Sequence, residues 1–110
     1  MAQPALVAEL DENDRNAISI RNIGTGAAIN VVWRLYKLEG RLQYIEPRAS
    51  IPVKFVDDNN ILTRLARQYI GNDFPPIRVT YDGMSGAGYE SVSTISETRD
   101  QFSTVFSRKM

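Results

Sequence analysis

Neither cysteine nor histidine occurs anywhere in this chain. Without cysteine there is no disulfide, no thiolate nucleophile and no sulfur ligand for a metal. Without histidine the commonest general base and the commonest zinc ligand are gone, and with them every Ser-His or Cys-His catalytic arrangement. Any hydrolytic chemistry would have to run on Asp, Glu, Ser and Tyr alone. An excess of charge of either sign is missing too: thirteen basic residues face thirteen acidic ones, for a formal net charge of zero. A neutral chain has no overall field to draw it to nucleic acid or to an anionic membrane, so either partner must be argued from a local patch. Met1 to Leu10 has no basic region and no long apolar stretch, which excludes a signal peptide or a membrane span there. The chain as written is expected to be soluble, either in its own right or as the soluble part of a cell-envelope protein.

What is present is an ordinary globular composition, 43% hydrophobic and 24% charged over 110 residues. That length gives room for one domain around one core, spanning 1–110, with 1–16 as an N-terminal strand or arm and 96–110 as a C-terminal strand or tail. Alternation of apolar and polar residues, the period of a half-buried strand, dominates the pattern. Ala5 to Leu10 reads as a short edge strand or arm. Ala17 to Asn22 places Ile18 and Ile20 on one face. Ala28 to Leu38 is the longest such signal, with Ile29, Val31, Trp33 and Leu35 on one parity, and Trp33 is expected in the core. Glu39-Gly40 reads as a turn into a partner strand, Leu42 to Glu46. Ile51, Val53 and Phe55 resume the alternation, with Pro52 demoting that strand to an edge or a bulge.

The periodicity then changes. Ile61, Leu62, Leu65, Ala66, Tyr69 and Ile70 recur at spacings of three and four, which predicts one short inserted helix at about 60–70. Asp58, Asn59 or Asn60 can cap its start, and Gly71 sits where a C-terminal αL residue belongs. Ile77, Val79 and Tyr81 return to strand period. A glycine-rich turn over 82–88 and a returning strand, Tyr89 to Ile95, make a hairpin. Gln101 to Ser107 reads as a last strand, with a short helix as the rival. Seven or eight short strands, spaced about ten residues apart, predict a mostly β, antiparallel sandwich.

Between the second and third strands lies Asn22-Ile23-Gly24-Thr25-Gly26-Ala27-Ala28-Ile29-Asn30. Its glycines allow the positive φ of a tight turn, and its asparagines can hydrogen-bond nearby backbone amides. The pattern Asn-x-Gly-x-Gly-x-Ala-x-Asn (Asn22, Gly24, Gly26, Ala28, Asn30) is followed later by Tyr81-Asp82-x-x-Ser-Gly and Tyr89-Glu90-Ser91. Together these resemble small immunoglobulin-like domains found widely in bacterial proteins of unassigned function. The resemblance covers roughly 17–95 and departs from the usual pattern in its longer late turn and in the helix near 61–70. It implies an immunoglobulin-like sandwich. It also implies an accessory or protein-interaction role, because many such domains follow a membrane anchor.

Tests for chemistry return little. Asp57-Asp58 and the Asp11 to Asp14 cluster lie in polar stretches suited to helix capping or solvation, not to the split pKa values of an acid/base pair. The same residues offer calcium some oxygens, but Asp11 to Asp14 lacks the glycine-permitted turn, so no metal site is expected. The glycine loops run into strands rather than opening a helix, and neither carries the Lys-Ser or Lys-Thr of a phosphate cradle. No cofactor is implied and no catalytic residue is assigned. The one arrangement with binding chemistry is the basic and aromatic face of Arg34, Tyr36, Arg41 and Tyr44, which could offer charge and stacking platforms to a ligand or nucleic acid. The competing account is an ordinary solvent-facing hairpin, and neutral net charge favours it over nucleic acid. The expectation is therefore a non-catalytic interaction module. Its protein partner, or a second copy of itself, would bind through edge strands, with ligand binding at the Arg34 to Tyr44 face as the alternative.

Overall fold

The computed structural model describes residues 2–10, 18–35, 38–52, 76–95 and 102–109. They form eight strands: β1 (Leu6–Leu10), β2 (Ile18–Asn22), β3 (Ala28–Leu35), β4 (Leu38–Ile45), β5 (Ser50–Pro52), β6 (Ile77–Gly83), β7 (Gly88–Ile95) and β8 (Phe102–Lys109). The fold is mostly β, with two antiparallel sheets ordered β1-β2-β5 and β4-β3-β6-β7-β8. The helix expected over 61–70 lies outside the described residues, as do Val53 and Phe55 and the acidic runs at 11–14 and 57–58. The C-terminal segment is a strand and not the rival helix.

Period-two alternation puts the core where it was expected. Leu6 and Ala8 of β1, Ile18 and Ile20 of β2, Val31, Trp33 and Leu35 of β3 and Ile77, Val79 and Tyr81 of β6 are all buried in one apolar cluster fed by both sheets. Each large aliphatic side chain taken out of water there contributes about 1.5–3 kcal/mol, so this cluster is the main stabilising element. In β3 the alternation slips once, because Ala28 and Val31, three apart, are both buried. The cause is a bulge against β6: pairing moves from Ile29 opposite Asp82 to Val32 opposite Thr80. Asn30, with φ 53°, supplies the extra residue. Asparagine tolerates the left-handed region better than most residues, and its Nδ2 donates to Asp82 Oδ2 at 3.1 Å across the bulge. Asn30 thus belongs to a strand irregularity and not to the glycine turn.

Glu39-Gly40, read as a turn, lies inside β4. Leu35 pairs with Leu38, Arg34 with Glu39 and Trp33 with Gly40, so the connection falls on 36–37, outside the described residues. Glycine stands at position 40 because the Trp33 indole lies over it, and a Cβ there would overlap the ring.

The inward face of β7 carries Ser91 and Ser93, both fully buried. Their hydroxyls answer a backbone need created by β1. One edge of β1 pairs with β2, and amides on its other edge would otherwise be buried without partners. Leu6 N–H donates to Tyr81 Oη at 3.1 Å and Ala8 N–H donates to Ser93 Oγ at 3.2 Å. Tyr81 Oη in turn shares a 2.7 Å hydrogen bond with Ser91 Oγ, and Ser93 Oγ shares one of 2.8 Å with Thr104 Oγ1.

Candidate binding surfaces

The glycine turn is built around Asn22, whose side chain has no exposed surface. Its Oδ1 accepts from Ala5 N–H at 3.2 Å and from Gly24 N–H at 3.0 Å. Its Nδ2 donates to the carbonyls of Gly26 at 2.9 Å and Ile45 at 3.2 Å. The residue's own N–H donates to Ala49 O, and its carbonyl accepts from Arg48 N–H. One residue therefore ties together the N-terminal segment, the turn, the end of β4 and the β4–β5 connection. The turn's glycines have a different purpose from the one the sequence suggests. Gly86 alone among the described glycines has a positive φ, at 90°. At Gly24 a Cβ would overlap the Gln3 carbonyl, and at Gly26 it would sit 2.8 Å from Ala2 O, so close approach of the N-terminal segment excludes a side chain. Thr25 N–H and Gly26 N–H both donate to Gln3 O, at 3.0 and 3.1 Å. The paired amides that a phosphate would need are taken by the chain's own carbonyl.

Three of the four proposed binding residues can be placed; Tyr36 lies outside the described residues. Arg34 and Arg41 are drawn together by Glu39, a strand residue of β4 and not a turn residue. Arg34 Nε lies 3.2 Å from Glu39 Oε2, while Arg41 Nε and Nη2 lie 3.1 and 3.0 Å from Glu39 Oε1. Opposite charges facing each other across β3 and β4 are the usual way such pairs support a sheet. The trio leaves one net positive charge on this face. With the connection placed at 36–37, the register itself sets Arg34 opposite Glu39, so this partner was readable once the hairpin was correctly aligned.

Hydrogen bonds from Arg41, and then from Arg34, hold the Glu39 carboxyl below its usual range. A folded-state value below the unfolded one means the pairing favours the fold above the usual carboxylate range. That contribution is lost as pH falls through the lowered value. We expect the Glu39 carboxyl carbon, followed by NMR, to titrate lower in the folded protein than in the urea-unfolded chain. Arg41→Ala should raise its midpoint more than Arg34→Ala, and an unchanged midpoint in both variants would refute the assignment.

Tyr44, 47% exposed, lies apart from this trio, opposite Ile29 and so beyond the Asn30 bulge that β3 makes against β6. It lines, with Arg41, Asn30, Val32 and Leu42, an open groove of about 640 Å³. Arg41 is thus the one proposed residue that belongs both to the ion cluster and to the groove.

The remaining surfaces are the sheet edges. A bare strand edge is a row of unpaired backbone groups, and proteins guard it with charge, proline or a covering segment. The amides of β1 are covered by the Tyr81 and Ser93 hydroxyls. The strand β5 has only three residues and ends in Pro52. The edge strand β4 carries Glu39 and Arg41 around Gly40. The fourth edge, β8, has eight residues without proline, glycine or an acid. It pairs with β7 over its full length without a bulge, from Gly88 opposite Lys109 to Ile95 opposite Phe102. Val105 is 70% and Phe106 48% exposed, and among the described residues no strand pairs with the other side of β8.

Among the described residues no group of three or more acidic side chains is placed to hold a metal, and no helix is long and apolar enough to cross a membrane. Compared with protein-family models, with curated proteins and with solved structures, the chain matches none.

Proposed function

We propose that this protein is a non-catalytic interaction module that binds an extended polypeptide by strand addition along β8. Its two sheets would pack as an immunoglobulin-like sandwich. The observation that carries the reading is the contrast among the edges: β1, β5 and β4 are each blunted by a different device, whereas β8 carries charge only at its end, Arg108 and Lys109, and leaves 102–107 without charge, proline or glycine. In strand addition the affinity comes from main-chain hydrogen bonds and the selectivity from alternate side chains, which here means Val105 and Phe106 on opposite faces of the strand. The acidic groups support a non-catalytic role. Glu9, Glu39 and Glu90 each lie against an arginine, at 2.9 Å from Arg21, 3.0 Å from Arg41 and 3.3 Å from Arg78.

An octapeptide of alternating Thr and Val, titrated into the isotopically labelled protein, should shift the amide resonances of 102–109 first. The same peptide N-methylated at alternate residues should bind at least about tenfold more weakly, the equivalent of one or two lost hydrogen bonds. Shifts confined to other strands, or none at millimolar peptide, would sink the proposal.

A second reading rests on the groove beside Tyr44, where Arg41 could meet an anionic group and the tyrosine ring a planar one. It requires salt-dependent binding of single-stranded oligonucleotides that Arg41→Ala abolishes. Absence of binding at low salt would exclude its nucleic-acid form.

A further inference from the structure

Resting on the reading of β8 as a docking edge, we infer that its occupant is β8 of a second copy, paired antiparallel about a two-fold axis at Val105. The two five-stranded sheets would then run on as one of ten strands. Three features of the strand point to its own copy.

Charge is the first. Both cations of β8, Arg108 and Lys109, lie at one end. A parallel partner would set them beside their counterparts at the ~4.8 Å spacing of neighbouring strands, whereas the antiparallel arrangement about Val105 separates the two Arg108 residues by six residue steps, roughly 20 Å. That exceeds the screening length of about 10 Å at moderate salt, so the repulsion largely vanishes. Pairing about Phe106 would leave them only four steps apart. Self-complementarity is the second feature. About Val105, Ser103 comes opposite Ser107, Thr104 opposite Phe106, and Val105 opposite itself, and no two like charges meet. A closed two-fold contact of this kind uses one patch twice, so the β8 edge is consumed in both copies and does not itself propagate.

Apolar continuity is the third. Val105 pairs with Val92 of β7, and Val92 with Arg78 of β6. Two half-sheets joined at Val105 would place Val92, Val105, Val105 of the second copy and its Val92 in one row. Cross-strand β-branched pairs of this sort stabilise a sheet. Val105 is 70% exposed, and a strand added along β8 would flank its side chain on the open side.

The chain lacks cysteine, so single-cysteine variants of the full chain report this register directly. Directly opposed residues in antiparallel strands fall within the Cα separation a disulfide accepts. Val105→Cys should oxidise to a covalent dimer. Ser103→Cys and Ser107→Cys should each form no covalent dimer alone and cross-link when mixed. Wild type should sediment as a concentration-dependent dimer. Val105→Lys should weaken that dimer by about tenfold or more, because like charges would face each other, and mixing it with Val105→Glu should restore association. All these substitutions are at exposed positions, and unchanged circular dichroism will show that the fold is kept.

A wild-type monomer at all concentrations, with Val105→Cys cross-linking no faster than Ser103→Cys, overturns the second-copy occupant. If the Thr-Val octapeptide still shifts β8 in that case, the docking edge itself stands. If it does not, both fall. Cross-linking through Phe106→Cys in place of Val105→Cys would overturn the register.

Discussion

Replacing Asn22 with alanine is expected to lower the unfolding free energy by about 3–4 kcal/mol, a large part of the 5–15 kcal/mol a small domain has. The magnitude follows from what is left behind. Alanine removes a side chain that makes four hydrogen bonds, and it strands Ala5 N–H, Gly24 N–H, Gly26 O and Ile45 O. Each buried group without a partner costs about 1–3 kcal/mol, reduced where water can enter the vacated volume. The loss should be cooperative, because the four groups belong to separate segments that this one side chain joins. Amide exchange should therefore speed up first at Ala5, Leu6 and Gly24, with β6 and β7 holding longer. Asn22→Asp separates hydrogen bonding from volume. Its carboxylate would keep the two acceptor contacts but turn a second oxygen toward two carbonyls, so the folded variant would favour the protonated acid. The folded-state value would then lie above the unfolded one, and the variant would gain stability as pH falls. Chemical denaturation at pH 7 and pH 4 measures both effects. An Asn22→Ala loss below about 1 kcal/mol would show that the network is not a support of the fold.

Why so much of this was readable, and why some was not, can be seen at individual residues. Period-two alternation is a direct image of which side of a sheet is wet, so Ile18, Ile20, Trp33, Val79 and Tyr81 were recoverable as core from the pattern alone. Pro52 likewise announced an edge, because it has no N–H to donate to a further strand. Three features resisted for physical reasons. Asn22 and Asn30 look alike in sequence, yet one is a buried hub and the other a bulge, because their roles are set by segments distant in the chain: the N-terminal strand and Asp82. The burial of the serines of β7 has no signal in the alternation, and only the amides of β1 explain it. Gly40 looked like a turn since glycine's commonest local use is conformational. Its use here is steric and depends on a side chain seven residues earlier.

That steric use gives the second large effect. Gly40→Ala is expected to cost about 2–3 kcal/mol, at the upper end for overpacking, because the new methyl would meet the rigid indole and not a flexible chain end. Its Cβ would overlap Nε1, Cε2 and Cζ2 of Trp33, a residue only 6% exposed. The indole must swing outward or β4 must separate from β3. Trp33 is the chain's single tryptophan, so a red-shifted emission would mark the first course and loss of the Arg34–Glu39 contact the second. A shorter ring changes the sign. Phenylalanine lacks the five-membered ring whose Nε1 has no hydrogen-bond partner in its buried position. In a Trp33→Phe background the alanine methyl occupies space the indole has left, and a strand glycine replaced by alanine, without a clash, gains about 0.4–1 kcal/mol by restricting the unfolded chain. Gly40→Ala should therefore destabilise the wild type and leave Trp33→Phe unchanged or more stable, a coupling of about 2–4 kcal/mol in a double-mutant cycle. Equal costs in the two backgrounds would mean that something other than the indole reserves the space above Gly40.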